Sequence, residues 1–349
     1  MRSALTAGVA LVAGLLGFAS VATAETEITF VMWVGAEQEV VPTEVIKAYM
    51  ASHPDVKINI LESNNTIIYP QMVTARRTTP DDPYIHCGLF NVETINNGDV
   101  DDLWESLNRE RIPNIANVLP KYHRPDDRGV GYQMLGIGLM YNKEKVATPP
   151  TSWSDLWSPP YKDHVALWEY DPPPLVMAAR LNGGDERNID PGFKVWSENA
   201  QNIRAFVDSN IALKNLLDSG EAWIAPWYSA IASQWVDENG PLGFVIPKEG
   251  AVAFSIFLAI AKGVDDAERA VCEDLLNELL SPAQAGRYGA LTRSVPVVTN
   301  AELTDRQKTD PIVGLGIAET AIHLDNAYIA QELSGWRERW DQEVKAKLR

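Results

Sequence analysis

Residues 131–167 read GYQMLGIGLMYNKEKVATPPTSWSDLWSPPYKDHVAL. Positions 136–141 alternate small and apolar side chains, the pattern of a short buried strand. The polar run 142–145 ends it, and Thr148-Pro149-Pro150 stops regular structure. Thr151 or Ser152 can then cap a short helix over 153–157, a side-chain oxygen accepting from the free amides of the first turn. Pro159-Pro160 closes that helix, and residues 165–168 read as the next strand.

The same alternation extends both ways. Before it, strands are expected at 27–34, 56–61 and 84–90, with helices at 41–52, 69–77 and 100–107. After it come helices at 174–181, 195–208 and 213–219, strands at 222–225 and 244–246, and a nearly unbroken apolar strand at 254–261. That last strand has the composition of one buried on both faces. Helices at 266–280, 282–288, 312–323 and 327–348 complete the chain. Strands alternating with helices predict an α/β fold with parallel sheets, and ligands in such folds sit beyond the carboxyl ends of the strands.

The N-terminus has the form of an export signal: Arg2, a small apolar run over 4–19, then Ala22-Thr23-Ala24 before Glu25. The run is too short for a membrane span, so residues 1–24 are expected to be a cleaved leader with no cysteine for lipid attachment. The rest of the 349 residues suffices for about two domains. A net charge of −17 argues against nucleic acid and anionic membrane surfaces as partners. Cys87 and Cys272 are the only cysteines. Export permits one disulfide, but their apolar settings favour two buried free thiols.

Two further stretches accompany the opening one: SGEAWIAPWYSA at 219–230, and FVIPKEGA…FLAIAKGVDDAERA across 244–270. Together with GIGLMYNKEKV…PPTSWSDLW…YK…VAL they closely resemble the extracellular solute-binding proteins of ABC transporters, in the branch that includes polyamine, ferric-iron and thiamine binders. The resemblance covers the whole chain after the leader. It implies two lobes, each a mainly parallel sheet flanked by helices, joined by a two-crossing hinge with a ligand cleft between them. Carried onto this sequence, lobe 1 is 25–133 plus 255–310 and lobe 2 is 134–254 plus 311–349, with crossings near 132–136 and 250–255. It also implies a periplasmic monomer that hands a small solute to a permease in the inner membrane, without a cofactor and without membrane anchoring of its own.

Catalytic patterns are missing: no nucleophile elbow, no H-E-x-x-H and no P-loop. The five histidines have no metal-ligand spacing and read as structural or solvated. Adjacent His86 and Cys87 would point to opposite faces of a strand and could not act together. The aromatics carry more. Among 11 tryptophans, Trp33, Trp168 and Trp227 sit at strand ends, as do Phe90, Tyr132, Tyr170 and Tyr228. A cation over such a ring gains ~0.5–2 kcal/mol. Trp104, Trp153, Trp157, Trp196 and Trp223 read as core.

The resemblance adds Asn91, Ser255 and Arg293 to the ligand-binding set Trp33, Phe90, Tyr132, Trp168, Tyr170, Trp227 and Tyr228. Glu169 and Asp171 could pair with an ammonium, and Arg293 could clamp a carboxylate. Two departures matter. Polyamine binders carry an acid where this chain has Ile256, and iron binders carry adjacent tyrosines where this chain has Trp227-Tyr228. The expectation is a non-catalytic receptor for an organic cation, zwitterion or carboxylate. A secreted hydrolase using the same cleft and a sugar receptor are the alternatives.

Overall fold

The computed structural model describes residues 26–348, so the leader reading of residues 1–24 lies outside the described residues. Ten strands form one sheet: β1 (Thr26–Met32), β2 (Val56–Glu62), β3 (Cys87–Asn91), β4 (Val130–Asn142), β5 (Val165–Trp168), β6 (Ile203–Val207), β7 (Ile224–Tyr228), β8 (Leu242–Val245), β9 (Val252–Ile260) and β10 (Val295–Pro296). Its order is β2-β1-β3-β9-β4-β7-β5-β6, with β8 and β10 paired to β4. β1 is parallel to β2 and β3 at one end, and β5 is parallel to β6 and β7 at the other. Antiparallel β9 and β4 join the two parallel sets.

Each set has its own core. Ile28, Phe30, Leu89, Tyr132, Leu258, Leu276 and Tyr288 belong to the first. Leu139, Trp153, Leu167, Met177, Trp196 and Trp340 belong to the second. Membership changes between Met134 and Ile137 on β4, near Val252 on β9, and again between Ala318 and Leu324.

The residues of the opening stretch explain the joint. Gly138 lies on β4 where β7 and β8 flank it, and a Cβ there would stand 2.6 Å from both the Phe244 ring and the Val245 carbonyl. Ser152 caps the short helix Trp153–Trp157, with Asp155 completing a capping box. Its hydroxyl also donates to Glu249 Oε1 at 2.6 Å, and Trp153 Nε1 donates to the Gly250 carbonyl at 3.0 Å. The Pro-Lys-Glu-Gly turn and the PPTSW segment, remote in sequence, therefore lock onto one another.

Four expectations are corrected. The helix expected at 100–107 lies instead at Val92–Val100, because Asn91 caps it by accepting from the Thr94 amide; Trp104 then bridges to Ala261. The helix expected at 195–208 is Asp190–Glu198 followed by β6, the break falling at Asn199. The helix expected at 312–323 shrinks to Gly316–Thr320. Cys87 and Cys272 are not free thiols: they form a disulfide with Cα atoms 6.0 Å apart, tying β3 to the helix Asp266–Leu279 inside the first core.

Candidate functional site

Where the two cores meet, the structure encloses a cavity of about 360 Å3. That lies within the ~300–1,000 Å3 range of small-molecule sites. The helix Val92–Val100, which directly follows β3, contributes Val92, Glu93 and Asn97 from the first side. From the other side come Trp168 to Pro173, the loop between β5 and the helix Pro172–Leu181, and Tyr228 at the end of β7. β9 supplies Val252, Ala253 and Phe254 as the floor, and the last long helix, Asn326–Glu343, covers it with Ile329, Leu333 and Arg337.

The loop after β5 makes a sharp turn. Tyr170 adopts φ +59°, a conformation uncommon for a residue with a bulky side chain. The C-terminal segment holds it there: its hydroxyl donates to both Asp341 carboxylate oxygens at 2.9 Å, and Lys345 Nζ sits 4.1 Å over its ring. The turn presents Asp171 to the cavity. Asp171 occupies the N-cap position of the helix that follows, yet its carboxylate makes no capping hydrogen bond. Glu169, by contrast, is neutralised by Lys345.

The cavity therefore receives two carboxylates without a hydrogen-bonding or ion-pair partner among the described residues, Glu93 and Asp171. Burial, then the charge of Glu93, pushes Asp171 up to about 7. Burial raises Glu93 as well, opposed by the charge of Arg337. Tyr228 is raised by burial and by both carboxylates. Two carboxylates that repel one another, with Asp171 partly buried, gain from any cation placed between them. The rings of Trp168, Tyr228 and Phe254 offer apolar walls beside them; Phe254 meets Tyr228 edge-on at 5.4 Å.

The sequence model of the bacterial extracellular solute-binding proteins matches residues 90–315, well over half of the chain. The chain belongs to that family. A spermidine/putrescine-binding periplasmic protein of Haemophilus influenzae is 27% identical over 241 residues, 66% of this chain and 64% of that one. A spermidine/putrescine-binding periplasmic protein of Salmonella typhimurium is 26% identical over 189 residues, 51% of this chain and 53% of that one. The matches thus span less than two thirds of the length of these curated relatives. Among solved structures, an extracellular solute-binding protein from Bordetella parapertussis superposes with a TM-score of 0.79 at 16% identity, over 92% of this chain and 100% of that one. A spermidine/putrescine ABC transporter substrate-binding protein from Streptococcus pneumoniae gives 0.69 at 18%, over 90% and 99%. At these identities the superpositions show the shared two-lobed α/β fold.

In this solute-binding protein the residues singled out by sequence divide sharply. Trp168, Tyr170 and Tyr228 line the cavity. Trp227 is buried behind them, its ring 5.1 Å from that of Trp168, and forms backing rather than lining. Phe90 and Tyr132 do not face a cleft. Phe90 is 0% exposed against Trp104 at 4.7 Å, and Tyr132 is 0% exposed against Tyr288 at 4.9 Å. Ser255 is likewise buried on β9. Asn91 is spent on the helix cap, while its backbone amide donates to Asn65 Oδ1. Trp33 is half-buried against the first core, outside the cavity lining. Arg293 does not wait for a carboxylate ligand: it pairs with Asp237 at 2.5 Å and donates to Ser233, which Arg306 also engages. Glu93 and Arg337 were missed, whereas Phe254 lies in the segment around 254–255 that the resemblance implies for the ligand. For Glu93 the signal was present, an acid two residues after the capping Asn91.

Proposed function

We propose that this protein is the extracytoplasmic receptor of an ABC transporter, capturing a small amine-bearing organic solute in this cavity and passing it unchanged to a membrane permease. The observation that carries the reading is the pair of partnerless carboxylates, Glu93 and Asp171, brought to one aromatic-walled space from opposite sides. An acid at position 256 is not needed for this. Ile256 pairs with Asn91 across β3 and β9 and points into the first core, so the charge comes from the segments after β3 and β5 instead. The spermidine/putrescine-binding names of the relatives favour the same chemical class.

The two cores are the two lobes, exchanged where β4 and β9 run between them and again between Ala318 and Leu324. Bending of those two strands would open the cavity and release the solute, as in hinge closure. The buried disulfide fits an oxidising compartment outside the cytoplasm, as does an exported receptor.

Thermal-shift and calorimetric titration with amines, sugars and simple carboxylates tests the reading. An amine should raise Tm and be recovered intact by mass spectrometry. Stabilisation by sugars alone, or chemical turnover of the added solute, would overturn it.

A further inference from the structure

The cavity carries one more charge than an amine requires. Arg337 lies on the last long helix and lines the space that Glu93 and Asp171 share. Its guanidinium stands 5.3 Å over the ring of Tyr170, and it has no carboxylate or hydrogen-bonding partner among the described residues. This separates it from the other cations of the same region. Lys345 is paired with Glu169 and Asp341, and Arg339 with Asp190 and Glu343. Its charge is felt at Glu93 across the cavity. The lining is therefore bipolar: two free carboxylates and one free guanidinium.

A diamine carries a second ammonium at the far end of its chain, and where that end reaches the helix Asn326–Glu343 it meets the guanidinium of Arg337 at the cavity rim. Like charges so placed are a specificity device against the wrong ligand. A guanidinium with all its donors free matches a carboxylate or similar oxyanion in bidentate geometry. We propose that Arg337 sets the class of solute: a zwitterion of the amino-acid type, its ammonium at Glu93 and Asp171 and its anionic group on Arg337, in preference to a diamine or longer polyamine. This rests on the receptor reading above and narrows it. It also separates this chain from what the names of its polyamine-binding relatives suggest.

The test is isothermal titration of the full protein with two ladders, the α- and ω-amino acids of two to six carbons and the α,ω-diamines of the same lengths. The wild type should bind at least one amino acid tenfold or more tighter than any diamine. Arg337→Gln should weaken that amino acid by tenfold or more and improve the diamines, whereas Arg337→Lys should keep part of the preference. Arg337 is on the exposed face of its helix, so both variants should fold, which melting curves would check. A wild type that prefers diamines or discriminates less than tenfold overturns the proposal and leaves the amine receptor standing. So does an Arg337→Gln variant with an unchanged ratio. Failure of every amine in both ladders overturns the receptor reading itself.

Discussion

The chain ends β3 and β5 in similar ways, each with an aromatic residue at the carboxyl end of a parallel strand, yet the two ends do opposite jobs. On the first side Phe90 is sealed against Trp104, and the helix begins two residues later, leaving Val92, Glu93 and Asn97 of that helix to reach the cavity, with Glu93 their one charged group. On the second side Trp168 is followed by a turn with Tyr170 at positive φ, so that Trp168, Tyr170 and Asp171 all face the cavity before the helix starts. A strand end offers its side chain to a cleft only where the chain delays its next element. Where the helix starts at once, the strand's last aromatic is drawn into the core and the helix's first turn takes over the ligand-facing role.

This contrast can be broken in order of expected effect. Phe90→Ala should cost about 3–5 kcal/mol of stability by opening a buried cavity, measured by denaturant unfolding; a loss under about 1 kcal/mol would mean that the ring is not sealed. Replacing Cys87 and Cys272 together by Ala should cost about 2–5 kcal/mol, the loop they close being long (sequence separation 185). A pair that proves reduced in the purified protein would contradict the bond. Trp168→Ala should instead weaken solute binding roughly tenfold, about the ~0.5–2 kcal/mol of one ring under a cation, with a smaller effect on folding. If the melt falls as far as in Phe90→Ala, the two strand ends are alike after all.

Asp171 sharpens the comparison through pH. Its folded-state value near 7 lies above that of the unfolded chain, so the native state holds more protons between about pH 4 and pH 7. Its contribution to the ligand-free protein is present at low pH and lost as pH rises through about 7. An ammonium ligand prefers the ionised form, so affinity should climb with pH up to about 7, by at most about tenfold per unit. Asp171→Asn should flatten both profiles. The smallest effect belongs to Tyr288→Phe: the buried hydroxyl lacks a hydrogen-bond partner among the described residues, so its removal should leave stability equal or up to about 1 kcal/mol higher.

Much of the architecture was legible because alternation, capping residues and proline stops are local signals. The helix Trp153–Trp157 with its Ser152 cap, and the strand Val165–Trp168, follow directly from residues 148–168. What failed was contextual. Residues 100–107 are apolar enough for a helix, but the Asn91 cap starts the helix earlier and Trp104 is needed as a bridge to Ala261. The cysteine pair could not be joined from sequence, since only the packing of the helix Asp266–Leu279 on β3 brings the sulfurs together. At the site, Trp168, Tyr170, Asp171 and Tyr228 were within reach of strand-end reasoning. Arg337 was not, because nothing local says that a charge-rich terminal helix will fold back over a cavity formed some 170 residues earlier.

The bond between Cys87 and Cys272 has a topological consequence. It closes a covalent ring of chain, and that ring contains β4 through β9 and most of the second core. In a chain that emerges from its N-terminus, the ring cannot close until residue 272 is out, by which point the strands of the second core have emerged but its helix Asn326–Glu343 has not. Conversely, a single protease cut anywhere in the encircled stretch would leave both fragments tethered.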